Sequence, residues 1–236
     1  MDDCLIVIPA RGGSKGIPNK NMKQIDGIPL VEFSIRAALR ADINARICLS
    51  TDSPKIRDFG LSCGAEAPFL RPAELSSDFI SSADVVKHAI NWYEENECYH
   101  PKYVMMLQPT SPLRSPESIR EAMKIISSSD EISSLIGVNE PSLHPCEYII
   151  KNGSAFKYVL QPPDIPGRQN YPTVYFINGA MYICSVDFIK ESGVMYDEHA
   201  ELFMMDEDES IDIDEQIDLQ FTEFMFKRNR SKYYWV

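Results

Sequence analysis

Apolar residues recur along this chain in two alternating patterns. Residues 4–9 (Cys-Leu-Ile-Val-Ile-Pro), 45–50 (Ala-Arg-Ile-Cys-Leu-Ser), 102–107 and 133–138 are short, mostly apolar runs, the mark of strands buried on both faces. Between them the spacing turns helical. Leu30, Phe33, Ile35, Ala37, Ala38 and Ala41 form a stripe in 29–41, and Val85, Val86, Ala89, Ile90 and Trp92 form one in 81–95. Residues 54–63 predict a shorter helix that ends near Gly64. In 116–126, Ile119, Ala122, Met123 and Ile126 face inward, behind a Ser115 cap and Pro116 at the first helical position. This β-α-β-α order predicts an α/β fold with a mostly parallel sheet flanked by helices. Such sheets bind ligands beyond the carboxyl ends of their strands, and the polar segments 10–21, 51–53 and 108–114 all fall there.

The pattern breaks near residue 141. Prolines stand at 141, 145, 162, 163, 166 and 172, and helical periodicity fades. Residues 141–172 are therefore expected to form an inserted arm of extended segments between catalytic segments 1–140 and 173–236. They hold too few periodic apolar residues to fold alone, so the arm is expected to pack on a second chain as a homodimer. Strand character returns over 173–184, and 217–226 predicts a closing helix.

A chain of 236 residues, 44% of them hydrophobic, can build one sizeable α/β core with a small appendage. Its net charge of −12 disfavours nucleic-acid polymers and anionic membranes as partners. No apolar run approaches the ~20 residues of a membrane span. The run at 5–8 is too short for a signal peptide and lacks a basic flank, so a cytoplasmic location is expected. None of the six cysteines forms a CxxC pair, which argues against a zinc knuckle or redox dithiol. They are expected to be free and mostly buried.

Charge matters locally. Pro9-Ala-Arg-Gly-Gly-Ser-Lys-Gly-Ile-Pro-Asn-Lys-Asn21 follows the first strand directly. Its glycines let backbone N–H groups approach a ligand, and Arg11, Lys15 and Lys20 supply cations for a triphosphate. Neither the P-loop spacing nor G-x-G-x-x-G is present, which disfavours a P-loop NTPase and a dinucleotide cofactor. Leu107-Gln108-Pro109-Thr110-Ser111-Pro112-Leu113-Arg114 also follows a strand, and its prolines stiffen a loop in which Gln108 can meet a base or a sugar hydroxyl. The acidic run 206–218 contains Ile211-Asp212-Ile213-Asp214. In extended backbone the two aspartates project to one side and the isoleucines to the other, which suits Mg²⁺ or Mn²⁺. The remaining acids of the run, 207–209, are expected to be solvated. Cations for phosphates, a stiff recognition loop and a carboxylate pair together suit metal-assisted nucleotidyl transfer.

The chain also resembles the acylneuraminate cytidylyltransferases, the CMP-sialic acid synthetases. The matching stretches are Ile8-Pro-Ala-Arg-Gly-Gly-Ser-Lys-Gly16 with Lys20-Asn21, Leu49-Ser-Thr-Asp-Ser53, Pro68-Phe-Leu-Arg-Pro72, Glu74-Leu-Ser-Ser-Asp78 and the loop from Leu107 to Arg114. Further on come His144-Pro145, Gly167-Arg-Gln-Asn-Tyr-Pro172, Asn178-Gly-Ala-Met-Tyr182 and Ser210-Ile-Asp-Ile-Asp214, so the resemblance spans nearly the whole chain. It implies a nucleotide-diphospho-sugar transferase type of fold with a small dimerisation arm, and CTP and a nonulosonic acid as substrates. By resemblance Arg11, Gly13, Ser14, Lys15, Lys20, Asn21, Arg71, Ser82 and Gln108 hold the nucleotide. Gln108, Thr110, Ser111, Arg168, Gln169, Tyr175 and Asn178 lie on the sugar side. Asp212 and Asp214 match the metal pair, and Arg11, Lys15 and Asp212 are the implied catalytic residues. Two positions depart from the sialic acid enzymes. Cys146-Glu147 follows His144-Pro145, where several of them carry a lysine, and Phe176 stands two residues before Asn178-Gly179, where they carry an arginine. Both changes remove cations from the sugar pocket and favour a less polar, legionaminic-type 5,7-diamino acid. A CMP-Kdo synthetase shares the opening loop type, but 167–182 and 211–214 speak against it. A non-catalytic nucleotide-binding module would not need Asp212 and Asp214 together.

Overall fold

Strand β1 (Cys4–Pro9) shows why the apolar runs lack alternation. Cys4, Ile6 and Ile8 pack on one face of the sheet, Leu5 and Val7 on the other, and all five are at most 1% exposed. Both sides are covered, so both parities must be apolar. Full burial of each such side chain contributes roughly 1.5–3 kcal/mol.

A computed structural model describes residues 4–13, 16–77, 79–165 and 167–236. After β1 come a small hairpin, β2 (Gln24–Ile25) and β3 (Ile28–Pro29), then α1 (Leu30–Ala41), β4 (Ala45–Ser50) and α2 (Pro54–Ser62). Next are α3 (Ser82–Glu97), β5 (Tyr103–Met106), α4 (Pro116–Ile126) and β6 (Ser134–Asn139). The arm follows with β7 (Ile149–Asn152) and β8 (Ala155–Tyr158). The chain returns through β9 (Phe176–Ser185), α5 (Val186–Ser192), β10 (Glu201–Met204) and α6 (Gln216–Arg228). The main sheet has the order β10-β6-β9-β5-β1-β4. Its strands pair in parallel except β9, which runs antiparallel between β5 and β6. The chain leaves β6 at its carboxyl end, forms the arm on that side and re-enters from the same side, so β9 runs backwards.

Helices α1, α2, α4 and α6 bury one face of the sheet, and α3 and α5 bury the other. The expected helix start at 115 is present: Ser115 Oγ accepts the Ser118 N–H at 3.1 Å, ahead of Pro116. Gly64 follows α2 with φ +94°. The short elements α5 and β10 are additions to the predicted order. Among the described residues no helix is long and apolar enough to cross a membrane. The cysteines are free; Cys4, Cys48, Cys146 and Cys184 are buried.

Strands β7 and β8 form their own two-stranded sheet, turned at Gly153 (φ +61°). The base of the arm closes on itself: His144 Nε2 lies 2.9 Å from the Pro172 carbonyl, and Arg168 pairs bidentately with Glu147 at 2.9 and 3.0 Å.

Candidate active site

The loops at the carboxyl ends of β1, β4 and β5 surround a cleft of about 670 Å³. It is lined by Arg11, Lys20, Asn21, Arg71, Ser82, Gln108, Thr110, Asp212 and Asp214, all expected at the site. Each is held by its own local structure. Asn21 is buried and its Nδ2 donates to the Arg11 carbonyl at 2.9 Å, which fixes the turn of the cation loop. The Gly12 N–H donates to Asp52 Oδ1 at 2.7 Å, tying that loop to the end of β4. Gly16 sits so close to residue 214 that a Cβ would lie 2.6 Å from the Asp214 carbonyl. That close approach requires glycine and joins the first loop to the acidic segment.

Arg71 is 5% exposed, and its backbone N–H donates to the Thr51 carbonyl at 2.7 Å. Burial lowers its guanidinium pKa, Asp52 works against this, and Arg11 adds to it. A buried guanidinium with a second arginine lining the same cleft suits an anion. Lys20 Nζ donates to the Ile213 carbonyl at 2.8 Å and to Asp214 Oδ1 at 3.1 Å.

Segment 211–214 lies between β10 and α6, outside any strand or helix. Ile213 is fully buried, Ile211 packs partly against the core, and Asp212 and Asp214 face the cleft. The Ile213 N–H donates to the Thr110 carbonyl at 2.9 Å, so the acidic segment and the 108–111 loop are joined. Burial raises the Asp212 carboxyl above the usual range; Thr110 and Lys20 oppose the rise, and Asp214 adds to it. Asp212 Oδ1 is buried without a hydrogen-bond partner. An orphaned carboxylate oxygen beside a second carboxylate fits a hard divalent cation. Among the described residues no set of three acidic, histidine or cysteine side chains could hold a metal alone, so phosphate oxygens or water must complete any shell.

Other expected residues lie elsewhere. Ser111 is fully buried below the cleft, because its loop folds back onto the core. Asn178 is 1% exposed; its Nδ2 donates to Ser210 Oγ at 2.9 Å and its Oδ1 accepts the Ala180 N–H at 3.0 Å. It therefore anchors β9 and is absent from the cleft lining. Gly179 (φ +74°) leaves room for the Gln108 side chain, whose Oε1 lies 3.1 Å from where a Cβ would sit. Gly13 is exposed beside the cleft, and Arg168, Gln169 and Tyr175 are exposed on or near the arm. Ser14 and Lys15 lie outside the described residues, as do Asp78 and Pro166.

The acidic run needs a correction. Glu209, expected to be solvated, is 4% exposed; it accepts the Ser115 N–H at 3.0 Å and the Ser118 hydroxyl at 2.6 Å. The start of α4 offers unsatisfied N–H groups, and a carboxylate there is favourable. Glu207 is exposed as expected. Leu75, Ser76, Ser77 and Ile80 also line the cleft, although only the Glu74-to-Asp78 motif pointed to that segment.

A family model described as cytidylyltransferase matches residues 5–155. A CMP-N,N′-diacetyllegionaminic acid synthase of Legionella pneumophila subsp. pneumophila is 36% identical over 234 residues, covering 96% of this chain and 97% of that protein. A pseudaminic acid cytidylyltransferase of Campylobacter jejuni is 31% identical over 230 residues, covering 96% and 97%. An N-acylneuraminate cytidylyltransferase of Escherichia coli O18:K1:H7 is 30% identical over 235 residues, covering 97% of this chain and 53% of that protein. A solved CMP:2-keto-3-deoxy-manno-octonic acid synthetase complexed with CTP shares the fold at TM-score 0.69 and 16% identity, over 96% of this chain and 99% of that one. With its cation loop, its carboxylate pair and these relatives, the chain belongs to the cytidylyltransferase family.

Proposed function

We propose that this enzyme joins the CMP half of CTP to the anomeric oxygen of a nonulosonic acid, releasing pyrophosphate. The observation that carries this reading is one cleft in which Arg11, Lys20 and Arg71 meet Asp212 and Asp214, with Gln108 and Thr110 beside them. In the reaction the sugar hydroxyl oxygen forms a bond to the α-phosphorus, and the bond to the bridging oxygen of the β-phosphate breaks. Arg11, Lys15 and Lys20 offset charge developing on the leaving pyrophosphate, the main protein contribution in phosphoryl-type transfer. Asp212, directly or through the metal, is the candidate to take up the hydroxyl proton. A bound Mg²⁺ or Mn²⁺, held by Asp212 and Asp214, would supply further charge neutralisation at the phosphates.

The sugar is best matched by a legionaminic-type acid. Phe176, 56% exposed, presents an apolar ring where an arginine would serve a more polar sugar. The relatives that act on legionaminic and pseudaminic acids support this class. The active form is a homodimer built through the arm. Ile149, Ile150, Phe156 and Val159 are each about half exposed there, an apolar surface that a second copy would cover. Arg168, Gln169 and Tyr175 belong with that assembly, since they do not line the cleft of their own chain.

The test is pyrophosphate release from CTP with Mg²⁺ across a panel of nonulosonic acids. N,N′-diacetyllegionaminic acid is expected to give the highest kcat/KM. Equal or better turnover of N-acetylneuraminate would remove the sugar assignment, and no CTP-dependent release with any acid would remove the function.

A further inference from the structure

Two charged side chains lie deeper than the cleft and line none of it. Arg114 is fully buried and Glu209 is 4% exposed. The Arg114 guanidinium reaches back to its own loop: Nη2 donates to the Gln108 carbonyl at 3.1 Å, and Nη1 donates to the Ser111 carbonyl at 3.4 Å. Glu209 reaches across from the acidic run, and its two oxygens accept from the Ser115 N–H and the Ser118 hydroxyl at the start of α4. Burial pulls the Arg114 guanidinium down to about 9, and the Glu209 charge works against it. Arg114 Nε has no hydrogen-bond partner.

Arg114 and Glu209 share only a longer-range attraction, and two buried charges held this way are a poor device for stability alone. Well-packed apolar side chains of similar volume would hold the same core as well or better. What a guanidinium adds is direction, because its planar fork fixes where the carbonyls it meets must point. Those carbonyls belong to Gln108 and Ser111, on either side of Thr110. Glu209 stands three residues before Asp212 and docks the acidic run on α4. The two segments are then laced together by the hydrogen bond from Ile213 to Thr110.

We propose that Arg114 and Glu209 are positioning residues for cytidylyl transfer: Arg114 sets the 108–111 backbone, Glu209 docks the segment that carries Asp212, and together they hold the recognition loop and the carboxylate pair at one separation. This rests on the reading of Asp212 and Asp214 as the metal pair. Neither residue touches substrate, so both act through their neighbours.

The test uses Arg114→Met, Glu209→Gln, the double variant and Arg114→Lys in the full chain. kcat, KM for CTP and Tm are measured with CTP, Mg²⁺ and N,N′-diacetyllegionaminic acid. Each single change to Met or Gln weakens the buried hydrogen bonds that side chain makes, so Tm falls; kcat is expected to fall on the order of 10²-fold, as for a shift of about 1 Å at a reacting site. KM for CTP should also rise, because Gln108 moves with its loop, although the cations that hold phosphate are untouched. The double variant carries neither charge, and whatever Tm it recovers, its kcat should stay low. Recovery of kcat together with Tm would overturn the proposal and leave the pair purely structural. Arg114→Lys keeps the charge and loses the fork, so it decides the matter if Arg114→Met does not fold. Its kcat is expected to drop about tenfold, as a small misplacement does, and a wild-type kcat there would also overturn the proposal. Asp212→Asn is assayed alongside. Full activity in that variant would overturn the metal reading itself, whatever the pair does.

Discussion

Strand β1 and the hairpin of β7 and β8 are both rich in apolar residues, and they meet opposite fates. In β1, Leu5 to Ile8 are 0% exposed, because helices cover both faces of the sheet. In the hairpin, Ile149 is 55% exposed and Phe156 56%, and every residue of both strands is exposed. Two strands without a covering layer are marginal in water. The difference teaches that the sheet around β1 buries its apolar side chains within the chain, whereas the hairpin leaves its own open to solvent. The chemistry should therefore respond to changes around β1, β4 and β5, and assembly to changes in the arm.

The largest expected effect falls in the catalytic half. Asp214→Asn keeps size and removes charge at a side chain that is 76% exposed, so folding should survive. Turnover should fall on the order of 10²- to 10³-fold, with partial rescue by added Mg²⁺. Glu207→Gln, equally exposed to solvent but outside the cleft, is the matched control. Equal pyrophosphate release by the two variants would defeat the metal assignment.

Lys20→Met tests the cations. Lys20 bridges Asp214 and the Ile213 carbonyl, so its loss should lower kcat/KM for CTP on the order of 10²-fold with an unchanged circular dichroism spectrum. Lys15→Ala should lower kcat by a similar order. A variant with wild-type kinetics would leave the cleft's list of contributors.

In the arm, Ile150→Asp places a charge on the exposed hairpin. Light scattering should then report a monomer, with Tm of the catalytic half nearly unchanged and KM for the sugar raised about tenfold if the arm serves that side. A wild-type chain that is monomeric and fully active when dilute would break the comparison from the other direction. The smallest effect is specificity: Phe176→Arg should shift the kcat/KM ratio toward N-acetylneuraminate by about tenfold, the scale of one pocket contact.

Much of the site was legible in the chain itself. Arg11, Lys20, Asn21 and Gln108 were visible because each sits in a polar loop directly after an apolar run, and strand ends are where a parallel sheet opens to ligand. Asp212 and Asp214 were visible because Ile211 and Ile213 alternate with them, and period two is a local signal. Asn178 and Ser111 were harder. Their residue types suit a sugar as well as they suit an internal hydrogen bond, and only the neighbours Ser210 and Ala180 decide the matter for Asn178.

The amino-acid order by itself determined the long strands and helices of the main sheet, that these strands run mostly parallel, and that cations and paired carboxylates stand at loop positions. These follow from periodicity and turn chemistry, which act over a few residues. Tertiary structure alone decided that β9 runs backwards between β5 and β6, that the short β10 finds an edge to pair with, and that Glu209 leaves solvent. Burying a carboxylate is costly unless partners compensate, and the partners of Glu209, Ser115 and Ser118, lie 94 and 91 residues away. No local pattern carries that information, because the charge becomes affordable only once α4 and the acidic run have met.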